Sequence, residues 1–186
     1  MATVRLVRHG QASAGWGTDP DPDLDDLGRS QSETVAQALH AQLAGTPVEV
    51  WTSPLLRCRS TAQPFVDLHG VEARVVDAVR EIPSPTDIST EQRIEWLRTA
   101  MDGTWGDLGG EFVAYRDRLV DVMSAVTTDT VVFSHFIAIN AVIGACIGDD
   151  RLVIRSLANT SVTTIEVING ALTLVEGGEE AETLIR

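Results

Sequence analysis

Lysine is missing from the chain, whose 14 fixed basic side chains are all arginines. Without a lysine amine, Schiff-base chemistry is excluded, and every fixed cation is a planar guanidinium that can fork onto a carboxylate or phosphate. Positive charge is scarce altogether, because Asp and Glu number 27 and the net charge is -13. A surface of that sign disfavours nucleic acid and anionic membranes as partners. It also repels a small anionic substrate at long range, so a phosphate site has to be a local arginine-rich pocket. Cysteine is nearly absent: Cys58 and Cys146 lie far apart, outside CxxC spacing and far from the density of a disulfide scaffold, and both read as buried thiols. The most apolar stretch, Phe133 to Gly148, is interrupted by Ser134, His135 and Asn140 and falls short of the ~20 residues of a spanning helix. The first residues lack a signal peptide's apolar run and read as a strand, so the expected location is cytoplasmic. No Pro, Gly or Ser tract serves as a linker, and a single domain over 1–186 is expected.

What is present alternates strand and helix. Val4 to Val7 is a short apolar run ending in Arg8-His9-Gly10, followed by a Gly-, Asp- and Pro-rich loop from Gly15 to Asp26. Helical spacing runs from Leu27 to Leu43, with Asp25 and Asp26 at its start and Gly45 at its stop. Val48 to Trp51 is a second strand, and Thr52-Ser53-Pro54 predicts a capped helix beginning at Pro54, kinked at Pro64 and ending near Gly70. Ala73 to Val76 is a third strand, and the prolines of the following Glu81-Ile82-Pro83-Ser84-Pro85 stretch forbid regular structure. Helices are expected over Thr90 to Met101 and Gly110 to Val126, joined by a loop from Asp102 to Gly106. Thr130 to Phe133 is a fourth strand, with Ser134-His135 at its end before another helix. Ser161 to Ile168 and Ala171 to Val175 alternate around Asn169-Gly170, which predicts a tight antiparallel hairpin.

This order implies an α/β three-layer sandwich: a mostly parallel central sheet, helices on both faces, and a C-terminal antiparallel hairpin. In such sheets ligands collect at the carboxyl ends of the strands. Three of the expected strands end in Arg8-His9, in Ser53-Pro54 ahead of Arg57, and in Ser134-His135, so these polar residues are expected to converge on one edge. Two arginines and two histidines are equipment for binding and transferring a phosphoryl group. A neutral imidazole is a nucleophile toward phosphorus, and a second, protonated histidine offsets charge on the equatorial oxygens. The helix N-termini expected after Gly10 and Pro54 add oriented N–H groups. A carboxylic acid completes the set, and Glu81 is the first candidate, with Asp77, Asp87 and Glu111 as alternatives. No His, Cys and Asp cluster has metal-ligand spacing, so neither a metal nor a cofactor is expected.

These residues resemble the histidine phosphatase superfamily, the group that includes the cofactor-dependent phosphoglycerate mutases. Leu6-Val7-Arg8-His9-Gly10-Gln11 is similar to the family signature, and Leu24 with Leu27-Gly28 and Gln31 to the entry of its first helix. Thr52-Ser53-Pro54-Leu55-Leu56-Arg57 with Thr61-Ala62 resembles its second motif, Arg80-Glu81-Ile82 its acid loop, and Val132-Phe133-Ser134-His135 the strand delivering its second histidine. The resemblance implies a phosphohistidine on His9, a phosphoryl group held by Arg8, Arg57 and His135 with Gly10 and Gln11 beside it, and Glu81 as proton donor. The chain departs from the family pattern at Gly15, where relatives carry a phosphate-contacting Asn, at Gln11 for the commoner Glu, and at Phe136 for the usual Gly. A Phe136 ring is expected to narrow the pocket mouth or supply an apolar wall.

The function expected on this reading is metal-independent hydrolysis of a phosphomonoester, with a small phosphorylated compound or a phosphopeptide as partner. Two alternatives stand beside it: a mutase, which the scarcity of basic residues between Glu81 and Glu111 (Arg93 and Arg98) disfavours, and a non-catalytic phospho-ligand module. Arg59, two positions past Arg57, faces elsewhere on its helix. His40 and His69 near helix ends and Trp51, Trp96 and Trp105 read as structural or solvated, Trp16 is a candidate for the pocket wall, and Asn159-Thr160-Ser161 matches the glycosylation acceptor pattern, set aside because secretion is not expected.

Overall fold

A computed structural model of the chain describes residues 1–15, 19–85 and 88–181; Trp16 and Asp87 lie outside the described residues. Six strands form one sheet in the order β3-β2-β4-β1-β5-β6. β1 (Ala2–Arg8), β2 (Glu49–Thr52), β3 (Ala73–Val75) and β4 (Thr130–Ser134) run parallel, and β5 (Val162–Ile168) and β6 (Ala171–Glu176) close the other edge antiparallel. The expected hairpin is present, with Asn169 at φ 52 and Gly170 at φ 83, the pair of left-handed residues that a two-residue turn requires.

β4 lies near the middle of the sheet with all five residues buried, as a strand covered on both faces must be. Its side chains alternate between two cores. Val131 and Phe133 join Val7, Val50 and Phe65 under α1 (Asp26–Gln42) and α2 (Leu56–His69). Val132 joins Leu6, Trp51 and Leu119 under α5 (Gly110–Ser124) and α6 (Phe136–Ile147), with α3 (Thr90–Met101) flanking them. The apolar stretch from Phe133 is thus a strand end and a buried helix, and Gly148 at φ 71 ends that helix. Among the described residues no helix is long and apolar enough to cross a membrane.

Two local expectations are corrected. α2 starts at Leu56 and not at Pro54: the Ser53 hydroxyl accepts the Leu55 N–H at 3.3 Å and lies 2.8 Å from His135 Nε2, and the Leu56 N–H donates to Asp21 Oδ1 at 2.7 Å. The loop expected over 102–106 holds the start of a four-residue helix, α4 (Trp105–Leu108), whose Thr104 and Asp107 form a reciprocal capping box. Four residues are too few for a readable period, although the Thr-x-x-Asp spacing was there to be seen.

Gly10 and Gly28 bring the turn after β1 against the first turn of α1. A Cβ on Gly28 would sit 2.1 Å from the Gln11 carbonyl oxygen, and one on Gly10 would sit 2.6 Å from that of Gly28. Backbone stands at both places, so neither neighbour can swing aside. Gly28→Ala is expected to cost about 1–3 kcal/mol by overpacking, read as a fall in Tm of roughly 3–10 °C; an unchanged Tm would contradict this docking of α1.

Candidate active site

The carboxyl ends of β1, β4 and β2 meet as expected. Arg8 pairs in register with Ser134, and Thr52 with Phe133. The His9 N–H donates to the Ser134 carbonyl at 3.0 Å and the Ser53 N–H to that of Phe133 at 3.0 Å. His9 and His135 face each other edge-on, ring centroids 5.3 Å apart. Above them opens a cavity of about 840 Å³ whose wall includes Arg8, His9, Arg57 and Glu81.

His9 Nδ1 lies 2.8 Å from the Gly10 carbonyl oxygen. A carbonyl only accepts, so Nδ1 carries the proton and Nε2 keeps its lone pair. The Arg57 Nε–H donates to that lone pair at 3.3 Å. Burial, then the positive charges of Arg57 and Arg8, hold the His9 pKa well below the ordinary value of 6.5. Burial and the same arginines do likewise for His135, which is fully buried behind the cavity wall with Nε2 2.8 Å from Ser53 Oγ and 3.3 Å from Cys58 Sγ. Both imidazoles are thereby held towards the neutral form. Burial also pushes the Cys58 thiol up, far from thiolate chemistry.

Arg8 is drawn down to about 10 by burial; its Nη1 donates to the Leu157 carbonyl, and its guanidinium carbon lies 5.0 Å from the centroid of the Phe136 ring. Phe136 itself is buried and absent from the cavity wall, so it neither narrows the mouth nor offers an apolar surface to a ligand. Arg57, 8% exposed, has Asp21 Oδ1 4.0 Å from its Nη1.

Glu81 sits at the first turn of α6. Its Oε1 accepts the N–H groups of Ile82 at 3.0 Å and Ala138 at 3.2 Å, and Oε2 accepts that of Ile137 at 3.3 Å. Burial nevertheless outweighs these donors and raises its pKa. Of the alternatives, Asp77 borders the cavity but is exposed and paired to Arg80 at 3.1 Å, and Glu111 borders it from the exposed side of α5.

The two residues beside the signature behave differently. Gly10 does not reach the cavity, and its N–H donates to Thr61 Oγ1 at 3.0 Å. Gln11 lines the cavity and its Nε2 donates to Asp25 Oδ2 at 2.8 Å; a Glu here would set two carboxylates against each other, which accounts for the amide. No helix follows Gly10 until α1, and the first N–H of α2 is taken by Asp21. Arg59 is exposed and off this cavity.

Asn159 was missed. Its Nδ2 donates to the His9 carbonyl at 2.9 Å and it lines the cavity. Its signal was positional: β5 runs antiparallel to β1, so the segment preceding β5 returns to the edge where β1 ends. Arg80, Tyr115 and Arg118 also line the cavity, and Tyr115 donates to the Arg80 carbonyl at 2.7 Å beside Glu81. Arg98, counted as a possible basic contact, does not line it. Among the described residues no three His, Cys, Asp or Glu side chains gather as a metal site.

The family model of the histidine phosphatase superfamily, branch 1, matches residues 4–179, and the chain belongs to that family. Solved structures share its fold. A phosphoserine phosphatase from Entamoeba histolytica in complex with 3-phosphoglyceric acid is 22% identical over 96% of this chain and 98% of that one, with a TM-score of 0.74. A mycobacterial glucosyl-3-phosphoglycerate phosphatase is 21% identical over 97% of this chain and 100% of that one, with a TM-score of 0.72. The PE-PGRS family protein PE_PGRS11 of Mycobacterium tuberculosis is 34% identical over 84 residues, 42% of this chain but only 14% of that protein.

The depressed histidines set a pH dependence. An unfolded chain takes up protons on His9 and His135 as pH falls through about 6.5, whereas the folded chain resists, so their contribution to stability is present above that pH and lost below it. The raised Glu81 acts in the opposite sense, since its folded form takes the proton first on acidification. Replacing both histidines by Gln is therefore expected to lessen the fall in Tm between pH 7.5 and 5.5 relative to the parent chain. An equal or steeper fall would contradict the neutral pair.

Proposed function

We propose that the chain hydrolyses phosphomonoesters through a phosphohistidine on His9. The observation that carries this reading is the His9 Nε2 lone pair, fixed by the Nδ1–H bond to Gly10 and set beside the guanidiniums of Arg8 and Arg57 on the wall of a cavity. Nε2 attacks phosphorus while the bond to the ester oxygen breaks, and Glu81 gives that oxygen its proton, releasing an alcohol. The arginines hold the equatorial oxygens, and His135 becomes able to take a proton as their charge arrives. Glu81, now ionised and stabilised by the α6 N–H groups, then accepts a proton from water. The water oxygen bonds to phosphorus, the P–N bond breaks, and phosphate leaves with His9 neutral again. The reaction as written needs no metal ion. Of the candidate acids Glu81 fits best, being buried, raised in pKa, and holding Oε2 with a single long N–H bond.

A small phosphorylated metabolite suits the cavity, whose volume of about 840 Å³ is in the range of small-molecule sites. Arg80, Arg93 and Arg118 on its wall suit a compound with a second anionic group, such as the phosphoserine and glucosyl-3-phosphoglycerate after which the two structurally similar phosphatases are named. The same arginines favour the second reading, a mutase, more than the segment between Glu81 and Glu111 alone suggested. Net release of phosphate separates the two, since a mutase returns it to the substrate.

Two assays test the proposal. Purified protein is expected to release phosphate from an aryl phosphate with chelator present, and His9→Ala to abolish this. Glu81→Gln is expected to lower turnover of alkyl phosphates by roughly 10²–10⁴-fold but to affect far less an aryl ester whose leaving group needs no proton. Equal loss on both esters would remove Glu81 as the acid. No hydrolysis of any phosphomonoester, together with indifference to His9→Ala, would overturn the function.

A further inference from the structure

Phe136 is the residue whose presence the chemistry above does not explain. It is the first residue of α6 and only 6% exposed, it makes no part of the cavity wall, and the face of its ring lies 5.0 Å from the Arg8 guanidinium carbon. A cation at that distance over a ring face is attracted by the ring's quadrupole, and more strongly where water is excluded. Arg8 is half-buried at the end of β1, and burial lowers its pKa, so this contact is made in a partly desolvated place. The guanidinium sits on a long, rotatable stem, and its Nη1 donates to the Leu157 carbonyl. A ring face beside it restricts rotation of that stem further.

The two supports of Arg8 are themselves tied together. Asn140, fully buried, donates from Nδ2 to the Phe136 carbonyl at 3.0 Å. Its Oδ1 accepts the N–H groups of Ile154 at 2.9 Å and Arg155 at 2.8 Å, three and two residues ahead of Leu157. The start of α6 and the segment carrying the Leu157 carbonyl are thus clamped to one side chain.

We propose that Phe136 is a positioning residue for oxyanion binding: its ring is the platform that keeps the Arg8 fork turned into the cavity. This rests on the reading of Arg8 as a phosphate-binding group. Phe136→Leu keeps an apolar side chain of similar bulk without a ring face, and Phe136→Tyr keeps the face.

The experiment is calorimetric titration with inorganic phosphate and with orthovanadate, in the parent chain and in Arg8→Ala, with Tm recorded for every variant. Phe136→Leu is expected to weaken phosphate binding about tenfold, the size of a desolvated cation–π contact, with Tm within a few degrees of the parent. Phe136→Tyr is expected to stay within about twofold, and in the Arg8→Ala background Phe136→Leu is expected to cost nothing more. A general packing role would weaken binding equally in both backgrounds, and that result overturns the proposal, as does parental affinity in Phe136→Leu. If Phe136→Leu does not fold, Phe136→Met replaces it under the same criteria. A parent chain that binds neither anion overturns the proposal too. Because the readout is binding, the hydrolase reading fails separately: phosphate that binds in a Phe136-dependent way but is never released from an ester sinks that reading and leaves this one standing.

Discussion

A buried imidazole set against two guanidiniums stays neutral, and the site is organised around that constraint. His9 is half-buried at the cavity wall with Arg57 and Arg8 as neighbours, so burial and both charges disfavour its charged form and outweigh the Gly10 carbonyl, which favours it. The Gly10 carbonyl then decides which nitrogen carries the one remaining proton. The backbone that supplies this carbonyl is pinned in turn: the Gly10 N–H goes to Thr61, the His9 carbonyl accepts from Asn159, and Gly10 packs directly on Gly28. The tautomer of His9, the proposed nucleophile, is therefore a property of how β1, α1 and the segment before β5 dock. Glu81 is the counterpart. The α6 N–H groups suit its ionised form while burial favours its neutral one, and a group balanced in this way can give up and recover a proton within one cycle.

Overall charge and local charge oppose each other. At -13 the molecule repels anions, yet five arginines, Arg8, Arg57, Arg80, Arg93 and Arg118, border one cavity. Beyond a Debye length of about 8 Å at physiological salt the general field is screened, so a phosphorylated ligand meets mainly the local arginines once it arrives. The Asp21 carboxylate, which accepts the first N–H of α2 and approaches Arg57, occupies ground an incoming anion would compete for.

Much of this was legible in the sequence, and the reasons differ between elements. β4 and α6 were readable because a strand buried on both faces and a buried helix leave long apolar runs, and the hairpin because Asn169-Gly170 suits left-handed backbone. That His9, Ser53 and His135 meet followed from three polar residues each ending a parallel strand. The start of α2 was not readable, since Ser53 also meets His135 across 82 positions, and local capping rules cannot see such a partner. Phe136 was misplaced for a similar reason: that its ring lies against Arg8 and away from the cavity depends on the crossing of α6 over β1. Asn159 was hidden because its neighbours spell a glycosylation signal. The family signature made Arg8, His9, Arg57, Glu81 and His135 visible together, but Arg80 and Arg118 border the cavity only through tertiary packing.

The most direct test of the central claim is to trap the intermediate. Protein mixed with a radiolabelled phosphomonoester and quenched in alkali is expected to carry acid-labile, alkali-stable label on one histidine, His9, attached at Nε2, and His9→Ala to carry none. Turnover with no label on His9, or label retained in His9→Ala, would contradict the account.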